Sequence, residues 1–286
     1  MGNERKELIQ IWEEGSYATA YAISKEKLMD KPMDHFLLIL NGFVSYQLAI
    51  AQINSYDLQT YIDDCIWSLR KALLNKEAKG DLRIQYVLGK AYYYKGPAYA
   101  DLAVKFLETA HNGSYQARDL PEYLGLAYAA KQDYWNSVAA FSLALGNEQP
   151  MNDLDPMDTY HSAFVQQDAY PSDLLLLSIA QSYIALDEQD AAKAYLVRCV
   201  ETSQDSNTII AARLLLGGIF ENAGDALAAE AQYLTILGED GENAEAHFQL
   251  GELYAASGDS TRARAEWRRA VRIDPAHRSA RLRLNM

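Results

Sequence analysis

One pattern of side chains recurs every 34 residues near the end of the chain. Between Ala244 and Pro275 a Leu–Gly pair is followed by an aromatic residue, a second Gly, a small residue and a second aromatic residue: Leu250, Gly251, Tyr254, Gly258, Ala263 and Trp267. The corresponding residues one period earlier are Leu216, Gly217, Phe220, Gly224, Ala229 and Tyr233. A fixed period of about 20–50 residues is typical of stacked repeats, so the sequence predicts an array of similar units.

Each unit reads as two helices, A and B, when Ala244 is numbered position 1. Positions 4, 7, 8 and 11 fall on one face of helix A, and positions 20, 24 and 27 fall on one face of helix B. The residues at positions 8 and 20 are small, which predicts that the helices cross there, since large side chains would push the axes apart. Gly258 and Pro275 are suited to end the two helices.

Position 20 can be followed through seven units. The residues are all small: Ala20, Cys65, Ala103, Ser137, Ala192, Ala229 and Ala263. The second unit is longer than the others, because 23 residues separate Gly42 from Cys65 where 12 is usual. The 11 extra residues correspond to about three helical turns, so both of its helices can lengthen and keep their faces aligned. Asn41 and Ser45 are poor matches at positions 7 and 11 of this unit.

This unit resembles the tetratricopeptide repeat (TPR), a helix–turn–helix of 34 residues. The resemblance covers most of the chain and implies an all-α fold, a right-handed superhelical stack of antiparallel helix pairs (an α-solenoid). It predicts degenerate or extended repeats over residues 1–81, two repeats over 82–150, an acidic insertion at 151–172, three repeats over 173–277 and a basic partial capping helix at 278–286. Leu282 and Leu284 are expected to cover the last repeat.

The resemblance also implies a concave groove lined by helix A, in which positions 2, 5, 9 and 12 contact a peptide or partner protein. Carried onto this chain, the groove residues are Arg83, Tyr86, Lys90, Tyr93, Asp119, Glu122, Phe43 and Tyr46. Asp119 and Glu122 argue against a clamp for a C-terminal carboxylate, and the tyrosines suit an extended peptide or a helix. In the alternative, Tyr86, Tyr93 and Tyr94 only pack between neighbouring A helices. Truncating Arg83 and Lys90 to alanine is expected to weaken a peptide partner and to leave stability almost unchanged.

Motifs for catalysis or metal binding are not found, so no enzyme activity and no cofactor or metal is expected. The five histidines are scattered singly along the chain. Asp153, Asp155 and Asp158 follow a calcium-loop spacing in part, but the Gly and the final Glu of such a loop are missing. Cys65 and Cys199 fall on positions for small buried residues and are expected to be core thiols.

Charge is distributed unevenly along the chain. The net charge of −13 argues against nucleic acid and against an anionic membrane surface as partners. Residues 200–261 carry eleven acids and one Arg, whereas residues 262–286 carry eight Arg and two acids. The basic end is either a solvated helix face or a patch that meets an acidic surface of a partner or of a second copy, so self-association is one hypothesis.

The sequence favours a cytoplasmic scaffold that binds a protein partner. The first residues are charged, and no run of about 18 apolar residues occurs, so no membrane insertion is expected. One alternative is a periplasmic or lipoprotein-derived TPR subunit of an envelope or transport complex from which a leader was removed. Another is a small-ligand protein with a closed cavity rimmed by Tyr92, Tyr93 and Tyr94.

Overall fold

The computed structural model of the chain describes residues 3–76, 78–146 and 173–285. These residues form fifteen α-helices and two short 3₁₀ turns, and they contain no β-strand. The predicted all-α, solenoid-type fold is confirmed. The chain divides into two compact units, which we call the N-terminal unit (Met1–Gln166) and the C-terminal unit (Gln167–Met286).

Within residues 3–76 and 78–146, the N-terminal unit contains four helix pairs, each joined by a short connection. Its helices are α1 (Asn3–Glu13), α2 (Tyr17–Asp30), α3 (His35–Ile50), α4 (Ser55–Ala72), α5 (Leu82–Lys95), α6 (Ala100–Asn112), α7 (Leu120–Ala130) and α8 (Tyr134–Ala144). As expected, the second pair is long, since α3 has 16 residues and α4 has 18. The 3₁₀ turns Ala78–Gly80 and Pro97–Tyr99 precede α5 and α6.

Residues 173–285 of the C-terminal unit form three helix pairs and one further helix. Its helices are α9 (Asp173–Ala185), α10 (Gln189–Thr202), α11 (Ser206–Asn222), α12 (Ala226–Glu239), α13 (Ala244–Ala256), α14 (Ser260–Ile273) and α15 (Arg278–Leu284). An Asp or Asn side chain accepts a hydrogen bond from the first turn of four of these helices, α11 to α14. Such caps satisfy backbone N–H groups that have no partner inside the helix.

The two helices of a pair touch where helix A carries glycine at position 8. A large side chain from helix B lies directly over that glycine, and a Cβ atom added to any of the five glycines would come within 2.6 Å of it. The covering side chains are Leu69 over Gly42, Leu107 over Gly89, Phe141 over Gly125, Tyr233 over Gly217 and Trp267 over Gly251. The predicted crossing point is therefore confirmed.

Position 20 is buried throughout, as the sequence predicted. Ala20, Cys65, Ala103, Ser137, Ala192 and Ala229 are 0% exposed and Ala263 is 1% exposed. The Ser137 hydroxyl donates to the carbonyl oxygen of Gly125 at 2.9 Å, so the one polar member bonds back to position 8 of its own pair.

Asn41, a poor match at sequence level, is the centre of a buried polar network between α2, α3 and α4. Its side-chain amide donates to Ser24 Oγ at 2.9 Å, and Ser68 Oγ donates to Asn41 Oδ1 at 2.8 Å. Ser24 and Ser68 are 0% exposed and Asn41 is 3% exposed. The amide thus links three helices by hydrogen bonds between side chains that are buried from water.

Replacing Asn41 with alanine is expected to lower the free energy of unfolding by about 1–2 kcal/mol, because the Ser68 hydroxyl would lose its acceptor in a dry site. Urea denaturation followed by circular dichroism measures the change. Asn112→Ala, at an exposed helix end, is the control and should stay within about 0.5 kcal/mol of the parent. Equal stability of the two variants would contradict a structural role for the network.

The C-terminal helix departs from expectation in one respect. Leu282 is 55% exposed, and the residue that covers the last pair is Ala280, which is 0% exposed. Leu284 is half-buried against the same cluster, as predicted. In α15, Ala280 and Leu284 are four residues apart and face the pair, which turns Leu282 outward.

Candidate functional site

Five tyrosines from the A helices α3, α5 and α7 lie close together, and the rings of three of them face one lysine, Lys90. We call the five the tyrosine cluster: Tyr46, Tyr86, Tyr93, Tyr94 and Tyr123. The Lys90 Nζ lies 4.1 Å from the ring centre of Tyr123, 4.8 Å from that of Tyr86 and 5.3 Å from that of Tyr46. An ammonium group at such distances is attracted by the negative faces of the rings.

Lys90 is buried, with 7% of its surface exposed, and its charge is fully paired. Its Nζ donates to Asp119 Oδ2 at 2.7 Å and to the Tyr86 hydroxyl at 2.9 Å. The Tyr86 hydroxyl in turn donates to Asp119 Oδ1 at 2.5 Å. The three groups close a ring of hydrogen bonds between α5 and the start of α7.

The environment fixes the charge state of these groups. Burial raises the pKa of Tyr86, and its hydrogen bond to Asp119 raises it further. Burial also raises the pKa of Tyr46 and of Tyr123. For Asp119, burial acts to raise the pKa, but hydrogen bonds from Lys90 and Tyr86 outweigh it and the pKa is lowered. At neutral pH these three tyrosines are therefore neutral and Asp119 is ionised.

The remaining rings pack edge to face. Tyr93 lies 5.5 Å from Tyr94 and 5.8 Å from Tyr123, centre to centre, and both pairs are T-shaped. The hydroxyls of Tyr94 and Tyr123 are 2.9 Å apart and share a hydrogen bond. Aromatic pairs of this geometry contribute about 0.5–1.5 kcal/mol each beyond the area they bury. The cluster is thus a preformed surface.

The predicted groove residues occupy different environments. Tyr46 and Lys90 are buried, whereas Phe43, Tyr86, Tyr93, Asp119 and Glu122 are half-buried. The structure brings Tyr46, Tyr86, Lys90 and Asp119 together, with Tyr93 beside them. Phe43 packs instead against Trp12, 6.5 Å away, and Arg83 is exposed and pairs with Asp81 at 2.6 Å.

Two sequence expectations need correction here. The burial and pairing of the Lys90 ammonium argue against the expectation that its truncation leaves stability almost unchanged. Tyr92 does not share a cavity with Tyr93 and Tyr94, since its ring stacks on Phe106 at 5.6 Å and its hydroxyl accepts from Arg70 at 3.1 Å. The sequence did not indicate Tyr123, which stands at position 6 of its repeat unit, outside the positions that the repeat pattern assigns to the groove.

The described ranges hold no group of three or more His, Cys, Asp or Glu side chains placed as metal ligands. None of the helices in these ranges combines the length and the hydrophobicity of a membrane-spanning segment. Asp153, Asp155 and Asp158 lie outside the described residues. The side chains of Cys65 and Cys199 are buried, as predicted, and burial raises the pKa of Cys65.

Comparison with known families identifies two of the repeats directly. The tetratricopeptide repeat family matches residues 175–206 and residues 244–277. The chain therefore carries tetratricopeptide repeats at these residues. The second match coincides with helix pair α13–α14, from which the period was read, and the division of the rest of the chain into repeats stays a prediction. No curated protein matches the chain.

Solved structures of TPR proteins share the fold. The C-terminal part of a TPR protein from Cytophaga hutchinsonii is 15% identical with a TM-score of 0.59, over 99% of this chain and 100% of that one. A TPR protein from Parabacteroides merdae is 14% identical with a TM-score of 0.57, over 99% and 98%. YrrB, described as a TPR protein with an unusual peptide-binding site, is 20% identical with a TM-score of 0.52, over 76% and 98%. At such identities the likeness concerns the fold alone.

Proposed function

We propose that this TPR protein is a non-catalytic, cytoplasmic scaffold that binds a peptide or a partner protein over the tyrosine cluster. The observation that carries the proposal is the convergence of tyrosines from three successive A helices on the ion pair between buried Lys90 and half-buried Asp119. Tyrosine is enriched among the residues that dominate binding energy, because it offers a large, rigid contact area and a hydroxyl.

The residues have two different roles in this proposal. Tyr86 and Tyr93, which are half-buried, present ring surface to the partner, and exposed Arg83 and half-buried Glu122 supply charges of both signs at the edge. Tyr46, Lys90 and Asp119 hold the rings in place from behind. Because these contacts hold the tyrosine rings in place, less side-chain entropy is lost on binding. Such a surface suits an extended peptide or a helix as the partner.

Truncating Tyr93 tests the proposal. Peptides selected from a random display library on the full chain provide the probe, and calorimetry measures their affinity. Tyr93→Ala is expected to raise Kd about tenfold or more, the effect of losing one hot-spot residue of at least about 1.4 kcal/mol. Tyr93 has ring contacts with Tyr94 and Tyr123, so thermal melting must show that the variant remains folded.

Tyr56→Ala is the matched control, since Tyr56 is 80% exposed and belongs to α4, a B helix. It should leave Kd unchanged. If no peptide is selected, or if both variants lose affinity equally, the face of α3, α5 and α7 is not the binding surface.

A further inference from the structure

The last helix pair carries more positive charge than its own fold uses. Its four carboxylates, one every seven residues, all have partners already. Glu245 contacts His277 at 3.2 Å, Glu252 pairs with Arg283 at 2.6 Å, Asp259 pairs with Arg262 at 2.5 Å, and Glu266 lies 2.7 Å from His247 and 2.5 Å from Arg269. Asp274 accepts a hydrogen bond from the backbone N–H of Ala276.

Five arginines are left over: Arg264, Arg268, Arg272, Arg278 and Arg281. All are exposed, and none has an ion-pair partner within the part of the chain that the structure describes. Arg264, Arg268 and Arg272, here called the arginine stripe, stand four residues apart and so lie along one face of α14. Ala263, Trp267 and Ala270 form its buried face. Like charges at this spacing weaken a helix, so the stability of α14 does not account for the stripe.

We propose that the arginine stripe binds an acidic segment of a partner protein. This surface belongs to the B helix α14 and is independent of the proposed binding face on α3, α5 and α7. The stripe spans about 12 Å, with about 6 Å between neighbours. Carboxylates four residues apart on a helix, or at alternate positions of an extended strand, have about the same spacing. Three carboxylates of one segment can therefore meet three guanidinium groups.

The choice of arginine supports carboxylate as the ligand. No lysine occurs after Lys193, although lysine accounts for about half of the basic residues of the whole chain. The guanidinium group is planar and offers parallel N–H donors that match both oxygens of a carboxylate, whereas an ammonium group acts as a point charge. A surface that only needed charge for solubility has no reason to exclude lysine.

Charge elsewhere favours a short acidic protein segment over nucleic acid. Eight arginines and two acids give residues 262–286 a formal charge of +6, which leaves −19 for the other 261 residues. A long polyanion would be repelled by that excess, while a short segment can be held within the Debye length of the stripe, about 10 Å at moderate salt.

Labelled peptides of about twelve residues, with Glu at every fourth position on an Ala background, provide the probe. Fluorescence anisotropy measures their affinity for the full chain at low and high salt, and the same peptide with Gln in place of Glu is the blank. Replacing the three arginines of the stripe with Gln is expected to raise Kd for the Glu peptide about tenfold or more. Replacing them with Lys should restore part of the affinity, because lysine restores the positive charge but not the parallel N–H donors of the guanidinium group.

Lys76→Gln with Lys105→Gln and Arg118→Gln removes three exposed positive charges elsewhere and is the matched control. It should change Kd less than about twofold, well below the tenfold loss expected for the stripe. Equal losses in the two triple variants, or no binding of the Glu peptide by the parent, would overturn the proposal. Tighter binding of single-stranded DNA would show nucleic acid as the ligand, and a dimer by light scattering that only the stripe variant abolishes would show a second copy; each result contradicts it.

Discussion

Replacing Gly217 with leucine is expected to lower the free energy of unfolding of the C-terminal unit by about 3 kcal/mol or more, the upper range for overpacking. A Cβ atom at this position would lie 2.4 Å from the Tyr233 ring. That ring is 1% exposed, and its hydroxyl donates to Glu221 at 2.6 Å, so it cannot swing away. Helices α11 and α12 must separate instead, and α12 then loses its packing.

The neighbouring residue, Gly218, provides a matched control. A Cβ atom there meets nothing within 4 Å. Gly218→Ala should therefore stabilise the protein by about 0.5–1 kcal/mol, since alanine is the better helix former. Gly217→Ala should destabilise it by the clash alone.

Urea denaturation followed by circular dichroism compares the three variants with the parent. If Gly217→Leu melts like the parent, or if the two alanine variants shift stability in the same direction, the helices do not cross at this glycine. Alanine gains the same helix propensity over glycine at both positions, so a difference in sign is attributed to the contact of Gly217 with α12.

Truncating Lys90 to alanine is expected to cost about 2–3 kcal/mol, somewhat less than the 3–5 kcal/mol typical of a broken buried ion pair. The expected loss of stability is smaller because the Asp119 side chain is 41% exposed and so keeps some hydration. The variant loses the hydrogen bonds to Asp119 and Tyr86 and the contacts with three aromatic rings. Arg83→Ala, at an exposed residue on the same helix, is the control and should change stability by less than about 0.5 kcal/mol.

The cost of Lys90→Ala should depend on pH. The folded pKa of Asp119 is lowered, so its pairing stabilises the protein above the ordinary Asp pKa of about 3.9 and is lost as pH falls through the lower folded pKa. The gap between parent and variant is therefore expected to narrow in acid. A gap of the same size at neutral and acidic pH would mean that lost packing, and not the ion pair, accounts for the effect.

The sequence predicted those features that repeat along the chain. Gly217 and Ala229 could be placed at a crossing because the same small residues recur at fixed spacing. Asn41 shows the limit: it was recognised as a mismatch, but its two serine partners come from different helices, and only the packed structure shows that they meet.

The candidate site depends on contacts between helices about 30 residues apart in sequence. Lys90 and Asp119 each fit the pattern of a groove residue, and no spacing rule indicates that they pair with each other or that Lys90 is buried. Tyr123 completes the cluster from a position that the repeat does not specify. The prediction that Leu282 covers the last repeat was wrong for a related reason. The short terminal helix has no matching helix one period away, so its register could not be checked against the repeat pattern.

The glycine contact has a consequence for how such a chain can change in length. In each of the five pairs that carry this glycine, the covering side chain comes from that pair's own helix B, as with Trp267 over Gly251. Deleting or duplicating a whole pair would leave every other such contact intact, provided the newly joined faces fit. The gene can therefore vary the number of modules independently of the fit that holds each one closed.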